Sequence, residues 1–352
     1  MKKIVIDISR LHPLALKRGV GIYAESLVLS LQRLKDGNKY FLRQYNKTLD
    51  LKKFDLVHYP HFDPFFLTLP WLRQKPIVVT IHDLIPLIFP NNYSAGFRGK
   101  IKWQMQKFLL KKAKAIITDS KNSKKDIVNI IGFPEQKIFP IQLAFNKNFR
   151  RLTGIKQQSV MIKNKYHLPE NFLMYVGDIN WNKNIKGLVK AFKKLKMTDK
   201  NLKLILVGNA FTNSNLTELR ELKGLIKNLD LEKDVELLGF LSNQELTVLY
   251  NLATLYIQPS FYEGFGLPVL EAMSCGCPVL SSNQASLPEV GGKAVAYFNP
   301  YRKGDLEYKI KKLILNKDGL GKLRELALKQ ARKFSWEKTA LETKKVYEKV
   351  LS

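Results

Sequence analysis

Two glutamates, Glu263 and Glu271, bracket the run Glu263-Gly264-Phe265-Gly266-Leu267-Pro268-Val269-Leu270-Glu271. The preceding Leu255-Tyr256-Ile257-Gln258-Pro259 has the apolar content of a buried strand that stops at a proline. Residues 268–273 read as a helix, with Pro268 in the first turn where proline is tolerated. The glycines therefore fall at a strand-to-helix corner, where backbone N–H groups and the helix dipole favour an anion. One carboxylate on the loop and another a turn into the helix add acceptors for hydroxyls on either side. A diphosphate flanked by a sugar and a ribose, as in a nucleotide sugar, presents that pattern. An ordinary corner with two solvated glutamates has the same residues, so the chemistry alone leaves both readings open.

Other residues that could act lie at similar corners. Gly19-Val20-Gly21-Ile22-Tyr23 follows a first strand and opens a helix whose apolar face is expected to include Ile22, Leu27 and Leu31. Glycines there let a ligand approach the backbone, although a plain turn would also use them. Ile77-Val78-Val79-Thr80-Ile81-His82-Asp83 puts His82 at a strand end, either presented to a ligand or capping the strand by bonding to Asp83. His58, His61 and Asp63 with His82 and Asp83 could be read as metal ligands. We set that aside, because His58-x-x-His61 leaves its strand before the second histidine, and no metal is expected. Tyr175-Val176-Gly177-Asp178-Ile179-Asn180-Trp181-Asn182-Lys183-Asn184 leaves another strand and offers Lys183 as a cation. Gly239 and Phe240 follow a further strand, where a buried strand and turn is an adequate explanation.

These corners need a scaffold. Apolar runs at 3–8, 54–58, 76–81, 114–118 and 137–141 read as strands, with helical stretches near 21–35, 97–112 and 122–131. A second series of strands follows at 172–176, 202–207, 234–238, 254–258, 278–281 and 294–298. Two such series predict an α/β protein with two doubly wound, mostly parallel sheets, whose ligands bind at the carboxyl ends of the strands. The length of 352 residues also favours two domains. We place them at 1–155 and 156–335, with a lysine-rich terminal helix over 336–352.

Composition narrows the functional classes. Met1 to Asp7 begins like a signal peptide, but Asp7 and Arg10 break the apolar run, and no window has the length of a membrane-spanning helix. Cys275 and Cys277 are too close to bridge and suit a reducing cytoplasm. Lys and Arg number 59 against 30 Asp and Glu, a formal charge of +29. Lysine-rich codon usage explains this most simply, attraction to an anionic membrane comes second, and nucleic acid a distant third, since no nucleic-acid motif accompanies the charge. Phe65 to Arg73 is an aromatic loop, and Phe97, Ile101, Met105, Phe108 and Leu109 recur at helical spacing beside Lys100, Lys102, Lys107 and Lys111. This helix either packs on its own sheet or offers a basic, apolar face to a membrane.

The segment 263–271 resembles the glutamate-spacer-glutamate signature of the retaining glycosyltransferases of family 4, built of two Rossmann-like domains (the GT-B architecture). Ala272-Met273-Ser274-Cys275-Gly276-Cys277-Pro278-Val279 and Leu287-Pro288-Glu289-Val290-Gly291-Gly292 are similar to that family in the same order, as is Ser335-Trp336-Glu337-Lys338-Thr339-Ala340 near the end. The resemblance implies two domains facing across a cleft and a last helix that crosses back to the first. It implies that Gly19 and Gly21 meet the donor phosphate or the acceptor, that His82 lies against the donor sugar, that Lys183 meets the pyrophosphate, and that Asn184 belongs to the donor-binding residues. Gly239 and Phe240 would line the base pocket through their backbone. The family commonly has an arginine where this chain has Asp178, which leaves more of the charge neutralisation to Lys183.

On this footing the expected reaction is transfer of a hexose from a nucleotide-diphosphate donor to a hydroxyl of a glycan or lipid-linked acceptor, with retention and without a metal or other cofactor. Glu271 would hold the ribose hydroxyls, and Gly264, Phe265 and Gly266 with Lys183 the departing diphosphate. Glu263 would orient the sugar, while the leaving phosphate takes the acceptor proton by front-face attack. His82-Asp83-Leu84 and the pattern at 177–184 look most like bacterial mannosyltransferases, so GDP-mannose is the first expectation for the donor. A phosphorylase or sugar-nucleotide epimerase would share the architecture, and a non-catalytic basic scaffold for membrane or nucleic acid would use only the charge. The expected location is the cytoplasm, at the inner face of the cell membrane.

Overall fold

The computed structural model describes residues 1–9, 19–43, 50–71, 75–154, 156–197 and 199–352. Arg10, and Leu72 and Arg73 of the aromatic loop, lie outside them. The chain forms two compact units, Met1–Ala144 with Phe334–Ser352, and Phe145–Lys333.

Unit 1 is a parallel sheet of β1 (Lys3–Asp7), β2 (Lys39–Arg43), β3 (Leu56–Tyr59), β4 (Ile77–Ile81), β5 (Ala115–Thr118) and β6 (Ile138–Pro140), in the order β2-β1-β3-β4-β5-β6. The interior strands β3, β4 and β5 are buried along their whole length, as continuous apolar runs require when helices cover both faces. Sequence reading missed β2. It is an edge strand with only Tyr40 buried and lysine and arginine at its ends, so its apolar signal is short. In the helix Gly19–Arg33 the buried face runs through Tyr23, Ala24, Leu27 and Leu31. Ile22 was expected there, but it falls out of phase and is 50% exposed.

The terminal helix Trp336–Leu351 belongs to this unit and packs on Gly19–Arg33. Ser335 caps it by accepting the Lys338 amide at 3.2 Å, and Thr339 Oγ1 donates to the Gln142 carbonyl at 2.8 Å. Its Tyr347 hydroxyl lies 2.7 Å from Nδ1 of the fully buried His58, whose Nε2 is 2.7 Å from Thr80 Oγ1; Tyr23 extends this chain to Thr80 at 3.1 Å. Burial pushes the His58 pKa down to about 3, so the ring is neutral and joins the two hydroxyls as one donor and one acceptor.

Unit 2 has β7 (Phe172–Val176), β8 (Lys203–Val207), β9 (Val235–Leu238), β10 (Leu255–Gln258), β11 (Val279–Ser282) and β12 (Ala296–Phe298) in the order β12-β11-β10-β7-β8-β9, all parallel. The strand order reverses between β7 and β10, and a doubly wound sheet binds its ligand at the carboxyl ends there. The unit begins before the expected boundary at 155. Residues 148–152 are tied to the helix Asn243–Leu252, where Thr247 Oγ1 donates to the Asn148 carbonyl at 3.2 Å and Asn251 joins the backbone of Arg150 and Leu152 at 3.0 and 2.9 Å. Both cysteines are free and buried.

Candidate functional site

The loops after β7 and β10 meet at the switch point and are stitched together by backbone and asparagine side-chain hydrogen bonds. Phe261 N donates to the Asn182 carbonyl at 2.7 Å, Asn182 Nδ2 to the Tyr262 carbonyl at 2.9 Å, and Asn184 Nδ2 to the Pro259 carbonyl at 3.1 Å. Lys183 is thereby aimed at Glu263, with Nζ 2.9 Å from Oε1 and 2.8 Å from Oε2. Oε1 also accepts from Gln258 Nε2 at 2.9 Å and Ser260 Oγ at 2.7 Å. Glu263 is buried, and these donors are what make a buried carboxylate tolerable.

Gly264, Phe265 and Gly266 carry the chain into the helix Leu267–Ser274. Gly266 sits at φ +106°, and a Cβ there would come 2.7 Å from Leu287 Cδ2, so both conformation and space call for glycine. Ser286 Oγ pins the corner from behind, donating to the carbonyls of Glu263 at 2.8 Å and Phe265 at 3.0 Å. One turn into the helix, Glu271 Oε2 accepts the Tyr250 hydroxyl at 3.1 Å. Burial pushes the Glu271 pKa up to about 7, and the Tyr250 hydrogen bond restrains that rise. The corner thus joins a cation, a carboxylate whose Oε1 already accepts from three donors, and a carboxyl poised near neutrality.

The other residues singled out in the sequence take the following places. Asp178 turns Oδ1 onto the Ile179 amide at 2.8 Å, which satisfies part of the charge that stands in place of arginine. At Gly239 a Cβ would meet Thr212 Oγ1 at 2.9 Å, while the Phe240 side chain is 74% exposed. Asn184 occupies a left-handed turn at φ 54° and precedes the helix Ile185–Lys196.

In unit 1, His82 follows β4. Its Nδ1 is 2.8 Å from Asp119 Oδ2, and its Nε2 is 3.1 Å from the Pro60 carbonyl. A carbonyl only accepts, so Nε2 donates, and the carboxylate favours a proton on Nδ1 as well. Burial alone would push this imidazole down, but the charge and hydrogen bond of Asp119 hold its pKa above the ordinary value. The pairing therefore biases the ring towards its doubly protonated form and commits both ring nitrogens to partners, which makes it an orienting group in this arrangement. The alternative of a strand cap bonded to Asp83 gives way to pairing with Asp119, and Asp83 Oδ1 accepts the Ile85 amide at 3.0 Å. Tyr23 stands edge-on to His82 at 5.0 Å, and the His61 ring lies along it at 6.3 Å. His61 Nδ1 and Asp119 Oδ1 are buried and have no hydrogen-bond partner among the described residues. No group of three or more metal-ligating side chains occurs among the described residues. Gly19 opens its helix with no atom within 4 Å of a built Cβ, so packing does not demand glycine there; Gly21 is buried.

Sequence reading missed Asp119, Tyr250, Gln258, Ser260 and Ser286. Asp119 carried a usable signal, since it ends a strand as His82 does. The others are ordinary residue types whose roles exist only through tertiary contact.

A family described as "Glycosyl transferases group 1" matches residues 157–334, and one described as "Glycosyltransferase Family 4" matches residues 10–146. The chain is 33% identical over 284 residues to the O-antigen chain mannosyltransferase B of Escherichia coli, covering 78% of this chain and 71% of that protein. It is 31% identical over 276 residues to the serotype-specific mannosyltransferase WbdA of Escherichia coli, covering 77% of this chain but only 32% of that longer protein. Among solved structures, a sucrose-phosphate synthase from Thermosynechococcus elongatus superposes with a TM-score of 0.79 at 20% identity over 99% of both chains. An Anabaena protein in complex with UDP and glucose gives 0.76 at 17% identity, over 99% of this chain and 100% of the other. These two likenesses are of fold, the GT-B arrangement of two Rossmann-like sheets.

Proposed function

The chain belongs to glycosyltransferase family 4, and on that footing we propose that it moves a hexose, mannose first, from a nucleotide-diphosphate sugar such as GDP-mannose to a hydroxyl of a glycan or lipid-linked acceptor with retention. The observation that carries this reading is the joining of Lys183, Glu263 and Glu271 through one glycine corner at the switch point of unit 2. The mannosyltransferase relatives support the choice of sugar.

In this reading Glu271 accepts the two ribose hydroxyls, which favour its carboxylate form. Lys183 and the backbone of the Gly264–Gly266 corner stabilise the departing diphosphate, where charge develops in the transition state. The diphosphate then competes with Glu263 for Lys183, so donor binding exchanges part of one ion pair for another. Glu263 aims Lys183 and offers the sugar the remaining capacity of Oε2, since Oε1 already accepts from three donors. The leaving phosphate takes the acceptor proton on the same face of the sugar. Lys183 fills the place of a divalent ion, so activity should survive EDTA. In unit 1, the Asp119-paired His82 with His61 Nδ1 and Asp119 Oδ1 offers groups suited to sugar hydroxyls.

The membrane reading rests on unit 1 as well. The helix Gly96–Leu110 buries Gln106, Leu109 and Leu110 and leaves Phe97, Ile101 and Phe108 exposed on one face. Gln106 holds the aromatic loop, with Nε2 donating to Thr68 Oγ1 at 2.8 Å and Oε1 accepting the Leu69 amide at 3.3 Å, and the loop exposes Phe66, Leu67 and Trp71. Lysines sit over these rings, Lys112 at 4.5 Å from Phe108 and Lys102 at 5.4 Å from Phe66. Apolar rings ringed by cations suit peripheral contact with the anionic inner face of a cell membrane. No helix among the described residues is long and apolar enough to cross a membrane.

Thermal-shift measurement against GDP, UDP, ADP and their sugar nucleotides tests the donor assignment, with the largest rise expected for GDP and GDP-mannose. Incubation with GDP-mannose and a mannose-terminated acceptor, read by NMR, should give an α-linked product. Phosphate-dependent sugar release, or epimerised donor without transfer, would assign a different reaction. Co-sedimentation with anionic but not neutral vesicles, lost at high salt, is expected for the membrane face.

A further inference from the structure

We propose that the carboxyl end of the unit 2 sheet carries a second carbohydrate subsite, for an anionic glycan, built from the stacked rings of Trp181, Phe261 and Tyr301 and the basic groove beside them. The identity of that glycan as acceptor or product rests on the transfer reading above; the existence of the subsite does not.

The rings come from three different loops, after β7, β10 and β12. Trp181 and Phe261 have centroids 5.0 Å apart at 30°, and Phe261 and Tyr301 5.3 Å apart at 22°. Rings lying side by side in one plane cannot approach so closely, so the three form an offset-stacked column. Its ends are the open parts, Trp181 being 39% and Tyr301 59% exposed, while the middle ring is half-buried. A column braced in this way holds the Tyr301 ring in place before any ligand arrives, which reduces the entropy lost on binding. The face of an aromatic ring is electron-rich and suits the C–H bonds that line one side of a pyranose. The column is also rooted in the transfer site, because Trp181 and Lys183 share one loop and Phe261 and Glu263 share another.

A groove lies beside the loop that carries Tyr301. A cavity of about 300 Å³ lies between the helix Ile185–Lys196 and the segment 298–307, and both sequence neighbours of Tyr301, Pro300 and Arg302, line it. Lys190, Lys194 and Lys303 line it as well. Glu307 is the one carboxylate among the described lining residues, and it is already paired with Lys194. A neutral sugar would use the ring and leave these cations to water. A glycan bearing phosphate or carboxylate groups uses both, with the charge contact weakening as salt is added.

The test uses the full chain and two probes, a phosphate-bearing mannan oligosaccharide and the same material after enzymatic dephosphorylation, titrated by calorimetry at moderate salt. The phosphorylated probe should bind about tenfold more tightly than the neutral one. Tyr301→Ala should weaken both by about tenfold, the scale of losing one aromatic contact at the centre of an interface. Lys190→Ala combined with Arg302→Ala should make the two probes equal. Thermal shifts with GDP-mannose should be unchanged in both variants, which also shows that they are folded. Equal binding of the two probes by the wild type, or no effect of Tyr301→Ala, would overturn the proposal. So would a single-stranded oligonucleotide of the same charge that binds more tightly than the glycan and depends equally on Tyr301. Glycan binding as described in a protein that fails to bind any nucleotide sugar would support the subsite and sink the donor reading instead.

Discussion

The carboxyl ends of the two sheets keep buried polarity in opposite ways. In unit 2, Lys183 and Glu263 neutralise each other, and Gln258 and Ser260 add donors to the same carboxylate. In unit 1, His82 and Asp119 are paired, yet Asp119 Oδ1 and His61 Nδ1 stay buried without a partner among the described residues. A satisfied cluster is a fixed electrostatic field, and a ligand must compete with the partners already present. An unsatisfied group costs roughly 1–3 kcal/mol to keep, which a ligand hydroxyl can recover. One sheet is arranged to hold charge, the other to receive hydrogen-bonding groups.

Lys183→Ala should break this contrast most severely. It removes the cation from the diphosphate position and strands Glu263, so kcat/KM should fall by about 10²–10³. Stability should drop by roughly 3 kcal/mol, because a nearly buried carboxylate loses its partner. Adding Glu263→Gln should restore stability in denaturant titration but not activity, and recovery of both would mean that Lys183 acts only through folding.

An acid titration probes the neutral side of unit 1. The His58 pKa falls from 6.5 in the unfolded chain to about 3 in the fold. The unfolded state therefore binds more protons below pH 6.5, and stability is lost progressively as pH falls from there towards 3. The loss should reach a few kcal/mol near pH 4, about 1.4 kcal/mol for each pH unit. Burial likewise lowers His61 to about 4, so His58→Gln should remove part of the slope and leave the rest. Unfolding of unit 1 that is insensitive to pH between 7 and 4 would refute the buried-neutral assignment.

Smaller effects should follow from Glu271, whose pKa of about 7 makes it half-protonated at neutrality. Because ribose hydroxyls favour the carboxylate, GDP affinity measured by calorimetry should rise about tenfold from pH 6 to pH 8 and then level off. Glu271→Gln should bind more weakly and show no such rise. Tyr250→Phe removes the hydrogen bond that restrains this carboxyl, so the midpoint should move to higher pH and affinity at pH 7 fall by about threefold. An unmoved midpoint would make Tyr250 a packing residue only.

The sequence made the unit 2 strands and the Gly264–Gly266 corner legible because both depend on local pattern, buried apolar runs broken by glycine and proline. Lys183 was legible as a cation, but its pairing with Glu263 depends on two loops that meet only in the folded sheet. The same limit hid Tyr250, which reaches Glu271 from a neighbouring helix, and the ring column, whose members are spread from 181 to 301. The strand β2 escaped because it lies at the sheet edge and buries only Tyr40, where the central strands are buried throughout. On the helix Gly96–Leu110 the spacing of Phe97, Ile101 and Phe108 suited burial as well as exposure, and the fold decided it by burying Gln106, Leu109 and Leu110 instead.

Ribosomal synthesis gives the terminal helix a role in timing. The six strands of unit 1 leave the ribosome first, yet Tyr347 and the buried face around Ala340 and Val346 emerge only after all of unit 2. Until then His58 lacks one of its two hydroxyl partners, and the Gly19–Arg33 helix is exposed where the last helix will pack. Domains generally fold in the order they are made, and here the order is inverted for completion: unit 2 can close while unit 1 waits. A chain truncated after Lys333 should therefore display a protease-resistant second unit beside a first unit that chaperones still recognise.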